Sequence, residues 1–278
     1  MIKRKLESTI IRLAKSFPVL AIVGPRQSGK TTLSRAIFTD YKYVSMEELG
    51  AREHAESDPK GFIESNLGEK GLIIDEFQHV PKLLSYIQLQ VDENRKPGFF
   101  ILTGSQNFLM NRAISQTLAG RVVIVTLLPL SISELKDANL LPGAIEEFVY
   151  TGSYPELYVN KNIVPSEWYA NYIKTYVERD VRDLQNISNL STFIKFMRLC
   201  AARVGQVINY TSLATDADID VATVKSWLSV LEASYITFIL QPYSAKFTRR
   251  LIKSPKLFFY DAGLAAALLN LDGRQCHN

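Results

Sequence analysis

Hydrophobic residues in the first half of the chain form short continuous runs, separated by segments with helical spacing. Five runs have the length of a strand: 19–23, 41–45, 71–76, 99–103 and 122–126. The segments with helical spacing are 6–17, 32–38, 59–66, 82–94 and 108–119. Strands that are almost continuously apolar and alternate with helices indicate an α/β fold, a parallel sheet with helices on both faces.

This alternation ends near residue 130, where helical segments replace the strand runs. The next predicted helices are 131–137, 145–152 and 168–183, and after Asn189 helical pieces lead to strand-like segments at 235–241 and 257–260. We therefore predict three domains: an α/β core at 1–130, a helical lid or linker at 131–189 and a third domain at 190–278.

Composition limits the class of protein. The 278 residues suit two or three domains, and 47% hydrophobic with 22% charged residues is ordinary for a soluble protein. A net charge of +4 permits contact with nucleic acid without requiring it. Cys200 and Cys276 match neither a disulfide framework nor a metal-ligand spacing. The basic, amphipathic first 17 residues differ from a signal peptide, and no apolar run reaches membrane-spanning length, which predicts a cytoplasmic protein without membrane contact.

The strand run 19–23 leads directly into a phosphate-binding loop of the pattern G-x-x-x-x-G-K-[ST]. Glycines let the backbone curl so that its N–H groups face phosphate oxygens, and the following helix adds the positive end of its dipole. Lys30 would reach the β- and γ-phosphates, and Thr31 would hold Mg²⁺. The alternative is a strand–turn–helix whose glycines serve only the turn. The predicted nucleotide-binding residues are Gly24, Pro25, Arg26, Gln27, Ser28, Gly29, Lys30, Thr31 and Thr32.

Two acids end the run 71–76. Asp75 would meet the Mg²⁺ held by Thr31, and Glu76 could orient the attacking water or accept its proton, which predicts hydrolysis as well as binding. An acidic turn is the alternative. A helicase is disfavoured because the chain has no room for a second motor lobe, and small-molecule kinases usually lack the paired acids. No Asn-Lys-x-Asp guanine box occurs, so the predicted cofactors are ATP and Mg²⁺.

Polar and basic residues next to the later strands extend this site. The run 99–103 ends in small polar residues, of which Thr103 or Ser105 could hydrogen-bond the γ-phosphate or the attacking water. Ser105 could instead cap the following helix. Arg121 ends the helix before the run 122–126, where it could project to the γ-phosphate of a neighbouring subunit or be an ordinary surface arginine at a helix end.

Residues 208–214 and 221–231 form two predicted helices separated by a turn at 218–220, with plausible wing strands at 235–241 and 256–260. This arrangement resembles a winged helix, which serves either DNA binding or protein interaction. For DNA, the second helix would enter the major groove and a basic segment would contact phosphates. The candidate contacts are Thr223, Lys225 and Ser226 on the helix, and Lys246, Arg249, Arg250 and Lys253 in the basic segment.

Several segments together resemble one family: GPRQSGKTT, IIDEFQHVP, LTGSQNFLM, LAGRV, LLPLSISEL, TGSYPELY and YVERDVRDL. They are similar, over essentially the whole chain, to the AAA-type ATPases of bacteria and archaea that carry a C-terminal domain of unknown function. The resemblance implies Lys30 and Thr31 on phosphate and Mg²⁺, Asp75 on Mg²⁺ and Glu76 as catalytic acid or base. It further implies Ser105 in the sensor region and Arg121 in the arginine-finger position.

The same resemblance carries implications for the rest of the chain. Arg179 and Arg182 fall where a lid arginine could approach the nucleotide, although a salt-bridged helix face explains them equally well. Members generally continue into a nuclease-like domain, so we expect a short or truncated member without that activity. The expected function is an ATP-driven switch that moves the winged helix within a homo-oligomer or with a protein partner. The alternative is a nucleotide-regulated DNA-binding or protein-interaction regulator with little turnover.

Overall fold

The computed structural model describes residues 1–105, 114, 116–177, 189–243 and 254–271. The chain divides into two compact units, Met1–Leu128 and Pro129–Asn278. Among the helices in the described ranges, none is both long enough and apolar enough to cross a membrane.

The first unit contains a parallel sheet in the spatial order β2-β3-β4-β1-β5. The strands are β1 (Val19–Gly24), β2 (Lys42–Ser45), β3 (Leu72–Asp75), β4 (Phe100–Ser105) and β5 (Val122–Thr126). The five strand predictions are therefore confirmed. Because β4 lies between β1 and β3, the carboxyl ends of these three strands are neighbours, and Gly24 pairs with Ser105 in the register.

Helices cover both faces of this sheet, as predicted. They are α1 (Leu6–Ala14), α2 (Lys30–Ile37), α3 (Leu49–Ser57), α4 (Pro59–Asn66) and α5 (Leu83–Glu93). α1 and α2 pack Ile10 and Leu33 against one face, while α4 and α5 pack Phe62 and Ile87 against the other. The sequence analysis missed α3, because Ala55 is its one buried residue and it has no apolar stripe. Most of the helix predicted at 108–119 lies outside the described residues.

Helices and one β-hairpin form the described part of the second unit. The elements are α6 (Ile132–Asp137), α7 (Ile145–Thr151), α8 (Glu156–Val159), α9 (Pro165–Tyr172), α10 (Leu190–Ala201), α11 (Tyr210–Ala217), α12 (Val221–Ala233), β6 (Thr237–Leu240), β7 (Lys256–Phe259) and α13 (Ala262–Leu268). α9 continues as a π-helical turn at Ile173–Val177, and the rest of the helix predicted at 168–183 lies outside the described residues. The sequence analysis did not predict α13, whose short sequence has no polar residue that would give it a helical alternation.

α11 and α12 are the two helices predicted around the turn at 218–220. Asp218 adopts a left-handed conformation with φ 59°, and the Asp220 carboxylate caps α12 by accepting from the Thr223 N–H at 2.8 Å. The rings of Phe193 and Phe196 on α10 meet the Trp227 ring edge-on, at centroid distances of 5.1 and 5.3 Å. β6 and β7 pair in antiparallel fashion. These elements are compatible with a winged helix, which stays a proposal.

A buried carboxylate joins distant parts of the second unit. Asp261 is 2% exposed and accepts four hydrogen bonds of 2.7 Å, from the N–H and hydroxyl of Ser153, the Tyr169 hydroxyl and the Leu264 N–H. A Cβ on Gly152 would overlap the Tyr169 hydroxyl, so the glycine of the TGSYPELY segment makes room for this hydroxyl. Ser153 and Tyr169 precede the domain boundary predicted at 189, whereas Asp261 follows it. The boundary itself stays a prediction.

Changing Asp261 to Asn is expected to lower the free energy of unfolding by about 2–3 kcal/mol, because four donors surround the carboxylate and an amide would turn its own N–H₂ toward some of them. Urea unfolding measures this loss. The exposed Asp218→Asn is the matched control and should change stability by less than about 0.5 kcal/mol. Equal stability of both variants would contradict the structural role of Asp261.

Candidate functional site

The loop after β1 curls through three residues with positive φ. Gly24 has φ 150°, Gln27 φ 60° and Gly29 φ 92°. A Cβ on Gly24 would overlap the carbonyl oxygen of Leu127, so only glycine fits there. α2 begins at Lys30, immediately after this curl, and its first N–H groups therefore lie at the loop. Such a helix start favours a bound anion.

Lys30 brings a buried positive charge into the loop. Its side chain is 4% exposed, and its ammonium group donates to the carbonyls of Gly24 at 3.2 Å and Pro25 at 2.8 Å. Ser28 is fully buried, and its hydroxyl is a buried polar atom that has no hydrogen-bond partner among the described residues. Cationic, N–H and hydroxyl donors thus gather in one loop, which fits a polyphosphate chain.

Asp75, at the carboxyl end of β3, is the centre of a second cluster. Its carboxylate accepts from the Thr31 hydroxyl at 2.9 and 3.0 Å, from the Tyr43 hydroxyl at 2.9 Å and from the Thr103 hydroxyl. Thr31 and Asp75 are thus in direct contact and offer the oxygen ligands that Mg²⁺ combines with substrate phosphates. In the described ranges, no group of three or more His, Cys, Asp or Glu could hold a metal ion.

Glu76 follows Asp75 in a left-handed conformation with φ 51°. Its Oε2 atom accepts from the side-chain amide of Gln78 and, at 3.3 Å each, from the N–H and hydroxyl of Ser105. Burial raises the pKa of Glu76, but the Lys30 ammonium and these hydrogen bonds more than offset it, so the net pKa is below its usual value. Glu76 is therefore ionised at neutral pH and able to accept a proton.

Two residues of this site were missed by the sequence analysis. Gln78 donates to Glu76 and to the Ser105 hydroxyl, at 3.1 Å, and Gly104 leaves the space that its amide occupies. Tyr43 lies on β2, and burial, followed by the charge of Asp75, raises its pKa to about 12. It therefore stays a protonated donor to Asp75. Gln78 lies in the IIDEFQHVP segment, two residues after Glu76, whereas nothing in the sequence indicated the contact of Tyr43.

Arg121 lies away from the loop of its own chain. Its carbonyl accepts from the N–H of Val19 at the start of β1, so it stands at the amino edge of the sheet, opposite Gly24. The six residues of β1 separate the two edges by about 17 Å. The guanidinium forms two hydrogen bonds to the carboxylate of Asp92, of 2.6 and 2.9 Å. Any contact of Arg121 with a γ-phosphate would have to be made to another subunit.

The remaining predicted loop residues have unequal exposure. Arg26 is half-buried, and its charge helps to lower the pKa of Glu76, whereas Gln27 and Thr32 are exposed. The proposed lid residues Arg179 and Arg182 lie outside the described residues.

The candidate DNA contacts on α12 interact with their own chain. The Thr223 hydroxyl donates to Asp220 at 2.8 Å, and the Lys225 ammonium lies 5.6 Å from the centroid of the Tyr210 ring. Ser226 is half-buried. The four basic candidates, Lys246, Arg249, Arg250 and Lys253, lie outside the described residues.

Comparison with known proteins divides the chain into two parts. Residues 16–136 match the family described as an AAA domain, and residues 143–275 match a domain of unknown function, DUF8612. An uncharacterized protein of Mycobacterium tuberculosis is 28% identical over 274 residues, covering 98% of this chain and 60% of its own length. An uncharacterized protein of Methanocaldococcus jannaschii is 22% identical, covering 87% and 60%. The chain thus spans about 60% of the length of these relatives.

One solved structure supports the fold assignment. A Walker-type ATPase of Pyrococcus abyssi superposes on 96% of this chain with a TM-score of 0.62 and 16% sequence identity, and the match covers 96% of that chain. At this identity the likeness establishes the fold, an α/β arrangement similar to that of P-loop ATPases.

Proposed function

We propose that this chain, which joins an AAA domain to a C-terminal domain of unknown function, binds ATP with Mg²⁺ and hydrolyses it. The observation that carries the proposal is the convergence of three groups at one sheet edge: the buried Lys30, the Thr31–Asp75 pair and the ionised Glu76. They follow β1 and β3, and β4 lies between these strands with Ser105 at the same edge.

Each group has a separate task in this mechanism. The N–H groups of the loop and Lys30 bind the phosphates, and Thr31 with Asp75 would hold Mg²⁺, which neutralises charge on the phosphate oxygens. Glu76 orients a water molecule whose oxygen attacks the γ-phosphorus, and it accepts the proton from that water. The bond between the γ-phosphorus and the β–γ bridging oxygen breaks, which gives ADP and inorganic phosphate. Gln78 and Ser105 fix the direction of the Glu76 carboxylate.

Phosphate release from ATP by the purified chain tests the proposal. We expect turnover with ATP and Mg²⁺, none after removal of Mg²⁺ by a chelator, and weaker activity with GTP, because the sequence carries no guanine box. Absence of both ATP binding and turnover would refute the proposed function. Tight binding without turnover would favour the second candidate below.

We also propose that Arg121 completes the site of a neighbouring subunit. Arg121→Ala is then expected to lower kcat about 10³-fold while ATP affinity changes less than about twofold, because a finger acts on transition-state charge. Single-turnover hydrolysis and ATP titration measure the two quantities. Asp92→Ala is the matched control: it removes the carboxylate bound by Arg121 but keeps the guanidinium, so it should retain most activity. A large loss of ATP binding in Arg121→Ala would contradict this role.

A second candidate function is a nucleotide-regulated DNA-binding or protein-interaction regulator with little turnover. The observation that favours it is the helix–turn–helix of α11 and α12 followed by the β6–β7 hairpin. Titration of labelled duplex DNA at several salt concentrations tests the DNA form of this proposal. Affinity should fall steeply with salt if Lys225 and the basic segment 246–253 contact phosphates, and a flat dependence argues against such contacts.

A further inference from the structure

Arg4 is a buried charge beside the phosphate loop. It is 7% exposed, whereas its neighbours Lys3 and Lys5 are exposed. Its Nη1 atom donates to the carbonyl of Ser28 at 2.8 Å, and its Nη2 atom donates to the carbonyl of Leu128 at 2.6 Å. A buried guanidinium is stable only when its donors are matched, and these two contacts each hold one of its terminal nitrogens.

The contact with Ser28 fixes one peptide group of the loop. The peptide that joins Ser28 to Gly29 is trans and planar, so its C=O and its N–H point in opposite directions. Holding the carbonyl against Arg4 therefore turns the N–H of Gly29 away from Arg4. Gly29 has φ 92° and precedes the first residue of α2, so the direction of its N–H depends on a backbone conformation that few other residues support.

The contact with Leu128 connects Arg4 to a segment that is hydrogen-bonded to the sheet. The N–H of Leu127 donates to the carbonyl of Val23 at 2.8 Å, and the Leu127 carbonyl lies against Gly24 at the start of the loop. Arg4 therefore connects Leu128, which follows the residue packed against the beginning of the loop, to the Ser28 peptide at the end of the loop. Two separate nitrogens of one rigid plane meet the two carbonyls, whereas a lysine would offer a single nitrogen on a flexible chain.

We infer that Arg4 is a positioning residue of the nucleotide site, which sets the direction of the Gly29 N–H toward the phosphates of the nucleotide. This inference rests on the proposed function. Arg4 acts through the loop backbone and does not touch the reacting atoms, so it affects the binding of phosphates more than the rate of the chemical step.

Titration of ATP, ADP and inorganic tripolyphosphate into Arg4→Ala and Arg4→Lys tests this role. Arg4→Ala is expected to weaken all three ligands by the same factor, about tenfold, because the loss lies in the phosphate contacts. Arg4→Lys should show an intermediate loss, and kcat at saturating ATP should change less than about threefold. Lys3→Ala is the matched control, which removes one positive charge from the same segment and should leave affinity unchanged.

Unfolding of each variant without ligand separates positioning from stability. If Arg4→Ala and Arg4→Lys bind all three ligands like the wild type at a temperature where they are folded, Arg4 is structural only and the inference is wrong. If Arg4→Ala does not fold, Arg4→Lys decides the question by the same comparison. If the wild type binds neither ATP nor tripolyphosphate, the proposed function fails, and this role fails with it.

Discussion

Replacing Glu76 with glutamine is expected to reduce ATP hydrolysis by about 10²- to 10⁴-fold, with ATP affinity within about twofold of the wild type. Glutamine keeps the shape of the side chain but cannot accept a proton. Phosphate release under single-turnover conditions measures the rate, and titration of ATP measures affinity. Glu53→Gln, an exposed glutamate on α3, is the matched control and should behave like the wild type. Hydrolysis by Glu76→Gln at the wild-type rate would remove the proposed base from the mechanism.

The dependence of kcat on pH is a second test of the role of the Glu76 carboxylate. The base must be ionised, and its pKa lies below the usual glutamate value, so kcat should stay level on acidification until the pH falls below about 4.5. Gln78 contributes to this lowered pKa by donating to the carboxylate. Gln78→Ala should therefore move the loss of activity to higher pH. An unmoved profile would show that Gln78 does not act on Glu76.

Replacing Lys30 with methionine is expected to weaken ATP binding by at least about 100-fold, with hydrolysis falling accordingly. Its ammonium is the buried positive charge inside the loop, held by the Gly24 and Pro25 carbonyls, and methionine fills similar volume without charge. Calorimetric titration with ATP and Mg²⁺ measures the loss.

The control for Lys30 is Lys60→Met on α4, where the side chain is 71% exposed. It should leave affinity unchanged. The free energy of unfolding of Lys30→Met should not fall below that of the wild type by more than about 1 kcal/mol, because an apolar side chain replaces a desolvated charge. Wild-type affinity in Lys30→Met would contradict the assignment of the loop as the phosphate site.

The sequence predicted some residues of the candidate site and missed others. The loop 24–31 and the acids Asp75 and Glu76 were predicted because their signals are local: glycines at fixed spacing, and a buried strand that ends in carboxylates. Four of the strands, β1, β3, β4 and β5, were found for the same reason, since each is a nearly continuous apolar run. The short helix α3 was missed because its residues are mostly polar and exposed.

The order of the strands in the sheet brings together side chains of the candidate site that no local sequence pattern could connect. β4 enters the sheet between β1 and β3, and that placement brings Ser105 to Glu76 and Thr103 to Asp75. The register of β2 against β3 brings the Tyr43 hydroxyl to Asp75. These contacts join residues 28 to 32 positions apart, so no periodicity within one element could reveal them.

The sequence by itself determined the α/β character of the first unit and the identity of the loop, because backbone geometry and burial there follow from neighbouring residues. Only the tertiary structure decided that Arg121 stands at the opposite sheet edge, that Arg4 holds the Ser28 carbonyl and that Asp261 meets Ser153. Each of these depends on how distant segments pack, and the buried side chains of Arg4 and Asp261 take whichever acceptors or donors the folded chain brings within reach.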